Sequence, residues 1–143
     1  MKVKFKKLNP KAKTPTKAHD CDAGWDIYAV SQGWSVQQSS GLYAEYGTGI
    51  ALEIPKGYVG LLFPRSSITN TKHMLKNSVG VIDSGYRGEV KLRFTPDDTN
   101  NAYMTGNKIG QILFLRLPKI ELEESEELSI SERNSAGFGS SGK

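Results

Sequence analysis

The chain reads as an all-β protein: a jelly-roll or β-sandwich of short antiparallel strands with at most one short helix and a flexible C-terminal arm. Three observations carry this. Fifteen glycines and six prolines punctuate short apolar stretches. No segment sustains the i, i+3, i+4, i+7 pattern of a long helix. Several stretches alternate with period two, most clearly Val90, Leu92 and Phe94 against Glu89, Lys91 and Arg93. Evenly spaced short strands with no helices between them fold as a sandwich, jelly roll or barrel.

In chain order, strands are expected at Val3–Leu8, Trp25–Val30, Tyr43–Ile54, Tyr58–Phe63, Val79–Ile82, Gly88–Phe94, Ile109–Leu117 and Lys119–Leu128. Pro55-Lys56-Gly57 and Pro96-Asp97-Asp98 are turns. Any helical turn belongs within Ser66–Lys76. Val79–Ile82 and Gly88–Phe94 read as the arms of a hairpin around Asp83-Ser84-Gly85. Residues 1–132 form one domain and 133–143 the arm, whose small, polar, glycine-rich composition cannot order by itself.

With 143 residues, the chain is one ordinary domain. No apolar run approaches the ~20 residues of a membrane span, and the basic start lacks the apolar core of a secretory signal. The one cysteine, Cys21, cannot form an internal disulfide, and no C-x-x-C spacing suggests a metal site. A cytosolic protein is expected. The net charge of +4 is unevenly spread: seven lysines fall between Lys2 and Lys17 with no acid before Asp20, and without them 12 basic residues face 15 acidic ones. A basic start can touch nucleic acid. Phe5 is the one aromatic among those lysines, and the Val3/Phe5 alternation suits an edge strand guarded by lysines instead. Nucleic acid is not expected as a partner.

Five short segments carry possible chemistry. Asp22-Ala23-Gly24-Trp25-Asp26-Ile27-Tyr28-Ala29 places a carboxylate, Asp26, in an apolar strand, costly unless paired or hydrated. Pro64-Arg65-Ser66-Ser67 offers a guanidinium and two hydroxyls at a strand end, suited to polyphosphate but equally to a surface loop. In Gly80-Val81-Ile82-Asp83-Ser84-Gly85-Tyr86-Arg87-Gly88, Asp83 is a turn cap or a general base, and Tyr86 is core or a platform for a sugar. Gly106-Asn107-Lys108-Ile109-Gly110-Gln111 opens the last apolar strand with a polar Gln111 that closes a loop or holds a ligand. In the tail, Arg133, the glycine N–H groups and two serines are donors for phosphate, and Phe138 is a lone aromatic among glycines.

Together and in this order, Ala23–Ala29, Pro64–Ser67, Gly80–Gly88, Gly106–Gln111 and Arg133–Gly142 resemble the five motifs of the homotrimeric dUTP nucleotidohydrolase (dUTPase) family, over nearly the whole chain. The resemblance implies a β jelly-roll with three active sites between subunits of a homotrimer, and hydrolysis of dUTP to dUMP and pyrophosphate. It implies that the backbone of Val81, Ile82 and Asp83 accepts uracil, with Asn77 assisting. Tyr86 would pack on the deoxyribose and exclude a 2′-hydroxyl, and Asp83 would activate the water attacking the α-phosphorus in line. Arg65, Ser66, Ser67 and Gln111 would hold the triphosphate, and Asp26 and Gln111 would contact Mg²⁺ through water. Phe138 would cover the uracil, and Arg133, Gly139, Ser140 and Ser141 would meet the phosphates. Lys91 matches a position sometimes used for substrate. The implied role is to lower dUTP and supply dUMP for thymidylate synthesis, in the cytoplasm of a bacterial or virus-infected cell.

The chain departs from the pattern in carrying Ser67-Ile68 where Gly-Leu is common, Asn107-Lys108 where Asp-Arg is common, and Asn134-Ser135-Ala136 where glycines are usual. A related reading, dCTP deaminase, is disfavoured because Arg93 stands where that enzyme's glutamate moves protons. A catalytically silent nucleotide binder would have no need of Asp83, Tyr86, Arg65, Arg133 and Phe138 together. His19 and His73 are expected to be bystanders. Gln32–Gly49 has no motif role.

Overall fold

The computed structural model describes residues 1–37, 41–96 and 102–137, with backbone alone at 32–37 and 41. Among the described residues, eight strands in two antiparallel sheets and one 3₁₀ turn follow in order: β1 (Lys4–Lys7), β2 (Trp25–Tyr28), β3 (Ser31–Gln37), β4 (Gly41–Glu53), β5 (Tyr58–Phe63), the turn Ser66–Asn70, β6 (Gly80–Ile82), β7 (Glu89–Phe94) and β8 (Lys108–Arg116). In one sheet β4 is flanked by β7 on one side and by β3 and β1 on the other; the second sheet runs β2-β8-β5-β6. The expected all-β jelly-roll is what forms.

The core lies between the sheets. On β7, Val90, Leu92 and Phe94 point inward at 1%, 1% and 0% exposure, while Lys91 and Arg93 point out. They meet Tyr46, Ile50, Ile27, Ile109 and Ile112, all buried. The buried hydroxyl of Thr48 donates to the Val90 carbonyl at 2.6 Å, so its burial leaves no lost hydrogen bond. His73 is also core: Nδ1–H donates to the Thr95 carbonyl at 2.8 Å and its ring stacks on Tyr103. That contact fixes residues 71–76 along the end of β7.

β4 serves three partners because it bends. Its pairing with β7 shifts register between Gly47 and Ala51, and Gly49 adopts φ +66. A side chain there would meet Asn9 Cβ at 2.9 Å and Ala12 Cβ at 3.0 Å. Such a bulge redirects a strand. The N-terminal half of β4 thus pairs with β3, and its C-terminal half with β1. β1 is a fully exposed edge strand carrying Lys4, Lys6 and Lys7, as its sequence suggests.

Three expectations are corrected. Val79–Ile82 and Gly88–Phe94 are not arms of one hairpin: β6 pairs with β5, and β7 with β4 in the other sheet. Residues 83–88 therefore cross between sheets, because each apolar strand finds more cover beside a long neighbour than beside the other. Lys119–Leu128 is not a strand. It is irregular, with Leu122 94% and Leu128 88% exposed, and among the described residues no neighbour supplies the hydrogen-bond ladder a strand requires. Conversely, Ser31–Gln37 is a strand despite its polar, glycine-containing sequence, since β4 offers it a continuous partner from Gly47 to Gly41.

Candidate active site

Sequence-distant motifs converge through strand order. β2, β8 and β5 are neighbours, and the register sets Asp26 opposite Gln111 and Gln111 opposite Phe63. Asp26, Gln111 and Arg65 thereby line one cleft of about 570 Å³, together with Asp22, Gly24, Pro64 and Ser66. Gln111 Nε2 donates to the Pro64 carbonyl at 3.2 Å, and its Oε1 lies where a side chain on Gly24 would stand. Glycine at 24 is therefore what allows the Gln111 amide to face the cleft. Arg65 Nε donates to Asp26 Oδ1 at 2.9 Å, which orients the guanidinium and leaves its two terminal nitrogens for a ligand. Ser67 is exposed on the adjoining 3₁₀ turn, outside the lining of this cleft.

A second cleft, of about 560 Å³, collects Asn77, Val81, Ile82, Asp83, Tyr86 and Lys91. β6 ends its sheet, so the peptide groups that do not pair with β5 face outward. Asp83 opens a turn closed by the Tyr86 N–H on the Asp83 carbonyl at 3.0 Å, and Arg87 braces it through the Ser84 carbonyl at 2.7 Å. The Tyr86 hydroxyl donates to the Glu89 carbonyl at 2.9 Å, holding the ring over Gly88 with 43% exposure. Tyr86 is thus a fixed platform, not core.

The far wall of this cleft comes from the outward face of β4 and β7. Glu45 accepts from Lys91 Nζ at 2.9 Å and from Arg93 Nε at 2.8 Å, and Arg93 lies over the Tyr43 ring. The Lys91 hydrogen bond holds the Glu45 carboxyl below its ordinary 4.5, with Arg93 assisting and burial opposing. The same bond raises Lys91 above 10.5.

Asn77, Val81, Ile82, Asp83, Tyr86 and Lys91 stand together, as do Asp26, Arg65, Ser66 and Gln111, but the two groups line separate clefts. Arg133 lies in an exposed turn, with Nε donating to the Ala136 carbonyl at 2.9 Å, and lines neither cleft. Phe138, Gly139, Ser140 and Ser141 fall outside the described residues. Two site neighbours escaped the sequence: Lys108, whose Nζ lies 2.7 Å from Asp26 Oδ2, and Glu45. Alternation alone could have placed Glu45 on the face shared with Lys91 and Arg93. The reach of Lys108 to Asp26 depends on a register shift between Ile27 and Tyr28.

No His/Cys/Asp/Glu trio able to cage a metal occurs among the described residues. The cleft lined by Arg65 and Ser66 offers one inward carboxylate, Asp26, and one amide oxygen, Gln111. That donor set fits Mg²⁺ that keeps its own waters and arrives on a polyphosphate, and it does not fit a dedicated protein cage.

Comparison with known proteins shows the family of the chain. The dUTPase family model matches residues 10–142. A deoxyuridine 5′-triphosphate nucleotidohydrolase from Nocardia farcinica is 36% identical over 98% of this chain and 85% of its own length. One from Mycobacterium tuberculosis is 37% identical over 95% and 92%. Among solved structures, the Staphylococcus bacteriophage 80alpha dUTPase with dUpNHpp superposes with a TM-score of 0.80 at 28% identity, covering 99% of both chains. A mutant dUTPase of S. aureus phage phi11, described with a structural Mg(II) ion, gives a TM-score of 0.70 at 25% identity over 89% of this chain and 98% of its own. By its motifs, its fold and these likenesses, the chain belongs to the dUTPase family of dUTP diphosphatases.

Proposed function

We propose that this dUTP diphosphatase works as a homotrimer in which the nucleoside cleft of one copy faces the phosphate cleft of another. The observation that carries this reading is the division of the motif residues between two clefts that share no lining residue. A single nucleotide needs both sets. A second observation favours it: Ile120, Leu122, Leu128 and Ile130 are 71%, 94%, 88% and 93% exposed on one segment, an apolar surface that a partner copy would cover.

Uracil pairs with the outer edge of β6 through the backbone of Val81, Ile82 and Asp83, with Asn77 assisting, and a 5-methyl group has no room there. The deoxyribose rests on Tyr86, whose fixed ring excludes a 2′-hydroxyl, and Lys91 approaches the substrate from the wall. Arg65, Ser66, Ser67 and Gln111 bind the triphosphate. Mg²⁺, met through water by Asp26 and Gln111, supplies charge neutralisation when bound. Asp83 accepts the proton of a water whose oxygen bonds to the α-phosphorus. The bond from that phosphorus to the bridging oxygen breaks, and pyrophosphate leaves with the electron pair. The arm at 133–143 closes over the site, with Phe138 on the base and Arg133, Gly139, Ser140 and Ser141 at the phosphates, excluding bulk water. The reaction lowers dUTP and supplies dUMP for thymidylate synthesis. The setting is cytoplasmic; among the described residues no helix is long and apolar enough to cross a membrane.

Pyrophosphate release from dUTP, dTTP, dCTP and UTP with Mg²⁺ tests this. Turnover of dUTP alone is expected, with a loss of roughly 10²–10⁴-fold in Asp83→Asn, the range of a positioned general base. Equal rates for the four nucleotides, or an Asp83→Asn enzyme as fast as the wild type, would overturn the assignment.

A further inference from the structure

Asp26 is the carboxylate placed to meet metal-bound water, yet both its oxygens are already engaged. Arg65 Nε takes Oδ1 at 2.9 Å, Lys108 Nζ takes Oδ2 at 2.7 Å, and the Asp26 side chain is 13% exposed. The three groups together carry net positive charge. Asp22, the other acid lining the cleft, turns Oδ2 back to the His19 N–H at 2.9 Å. A free dication approaching Asp26 therefore meets a carboxylate already compensated by two cations.

We propose that Lys108 is the resident counter-ion of Asp26, and that it makes the phosphate cleft select the metal–nucleotide complex over the free metal. This deepens the dUTP reading and rests on it. A triphosphate brings about four negative charges and a magnesium ion offsets two, so the complex keeps about two to face the net single positive charge of Asp26, Arg65 and Lys108. Arg65 is already oriented by its Nε bond. Lys108, on a flexible four-carbon stem and 34% exposed, is free to turn from Asp26 to a phosphate oxygen and release Oδ2 to water. Metal and lysine thus occupy the same carboxylate in turn, and only a ligand bearing enough negative charge makes the exchange favourable.

The test uses the full-length protein and two probes. Mn²⁺ binding to the nucleotide-free protein is followed by electron paramagnetic resonance. Binding of α,β-imido-dUTP, with and without Mg²⁺, is followed by calorimetry. Lys108→Met should bind free Mn²⁺ about tenfold more tightly than wild type, the effect of removing one charge at contact distance in a partly exposed cleft. It should also lose about tenfold more affinity for the metal-free nucleotide than for the Mg²⁺ complex. Lys108→Arg, which keeps the charge, should restore wild-type behaviour in both assays, separating counter-ion from packing. Melting curves confirm that each variant is folded, and Lys108→Gln replaces the Met variant if that one is not. Equal Mn²⁺ affinity in wild type and variant, or equal nucleotide losses with and without metal, overturns the proposal. Failure of the wild type to bind the Mg²⁺–nucleotide complex would instead overturn the dUTP reading, while the Mn²⁺ titration still decides the role of Lys108.

Discussion

Glu45 shows how one residue ties the proposed nucleoside cleft to acid stability. Its carboxylate sits between Lys91 and Arg93, and the Lys91 bond holds its folded-state pKa below the ordinary 4.5. A lowered carboxyl pKa contributes stability above about pH 4.5 that is lost as pH falls through the lower, folded value. Glu53 behaves alike toward Lys4 but is fully exposed, so screening leaves it little effect. Glu45→Gln should therefore destabilise the protein by about 1 kcal/mol at pH 7 and by progressively less at an acidic pH below 4.5. Urea unfolding at the two pH values checks this. A pH-independent difference between the proteins would show that packing, not charge, is what Glu45 contributes.

At the scale of elements, the bend in β4 decides the architecture. Over its 13 residues β4 pairs with β3 and then β1 along one edge, and with β7 along the other, with the register to β7 shifting between Gly47 and Ala51. The bend depends on Gly49 at φ +66, where any other residue is strained, and a side chain also meets Asn9 and Ala12. Gly49→Ala should destabilise by roughly 1–3 kcal/mol, combining left-handed strain with overpacking. The thermal midpoint would fall by several degrees while dUTP turnover at low temperature persists, because neither cleft includes Gly49. An unchanged midpoint would mean the bend forms without it. β6 is the complementary case: a strand of only three residues whose open edge is the proposed uracil platform.

For the whole molecule, the proposed reading requires association and closure to be separable. The exposed apolar side chains of residues 120–130 precede the arm at 133–143. A chain ending at Glu132 should sediment at three times its own chain mass, as the full-length protein should at three times 15.7 kDa. It should hydrolyse dUTP at least ~10²-fold more slowly, having lost the donors and the ring that shut out water. Full activity without the arm would remove it from the mechanism. A monomeric full-length protein with full activity would remove the division of the site between copies.

Much of this was legible before folding, because it is local chemistry. Period-two alternation marked Val90, Leu92 and Phe94 as core and Lys91 and Arg93 as surface; burial of a pleated strand on one face leaves that trace whatever the strand pairs with. Asp26, Arg65, Asp83, Tyr86 and Gln111 were each ambiguous alone, a polar group with a structural role as good as a functional one; only their order along the chain, through its resemblance to the dUTPase motifs, singled them out. Pairing was not legible. Which strand lies beside which is decided by competition among all apolar faces, so β6 and β7 parted into different sheets and Ser31–Gln37 became a strand on the strength of its neighbour. The ring of charges around Asp26 depends on that outcome: Lys108 and Arg65 are 43 residues apart in sequence. They meet on one carboxylate only because β2, β8 and β5 are adjacent in register. Residue type determined what chemistry the chain can offer; only the tertiary structure decided which groups share a cleft, because contact between distant segments is a property of the packed sheets and of no segment alone.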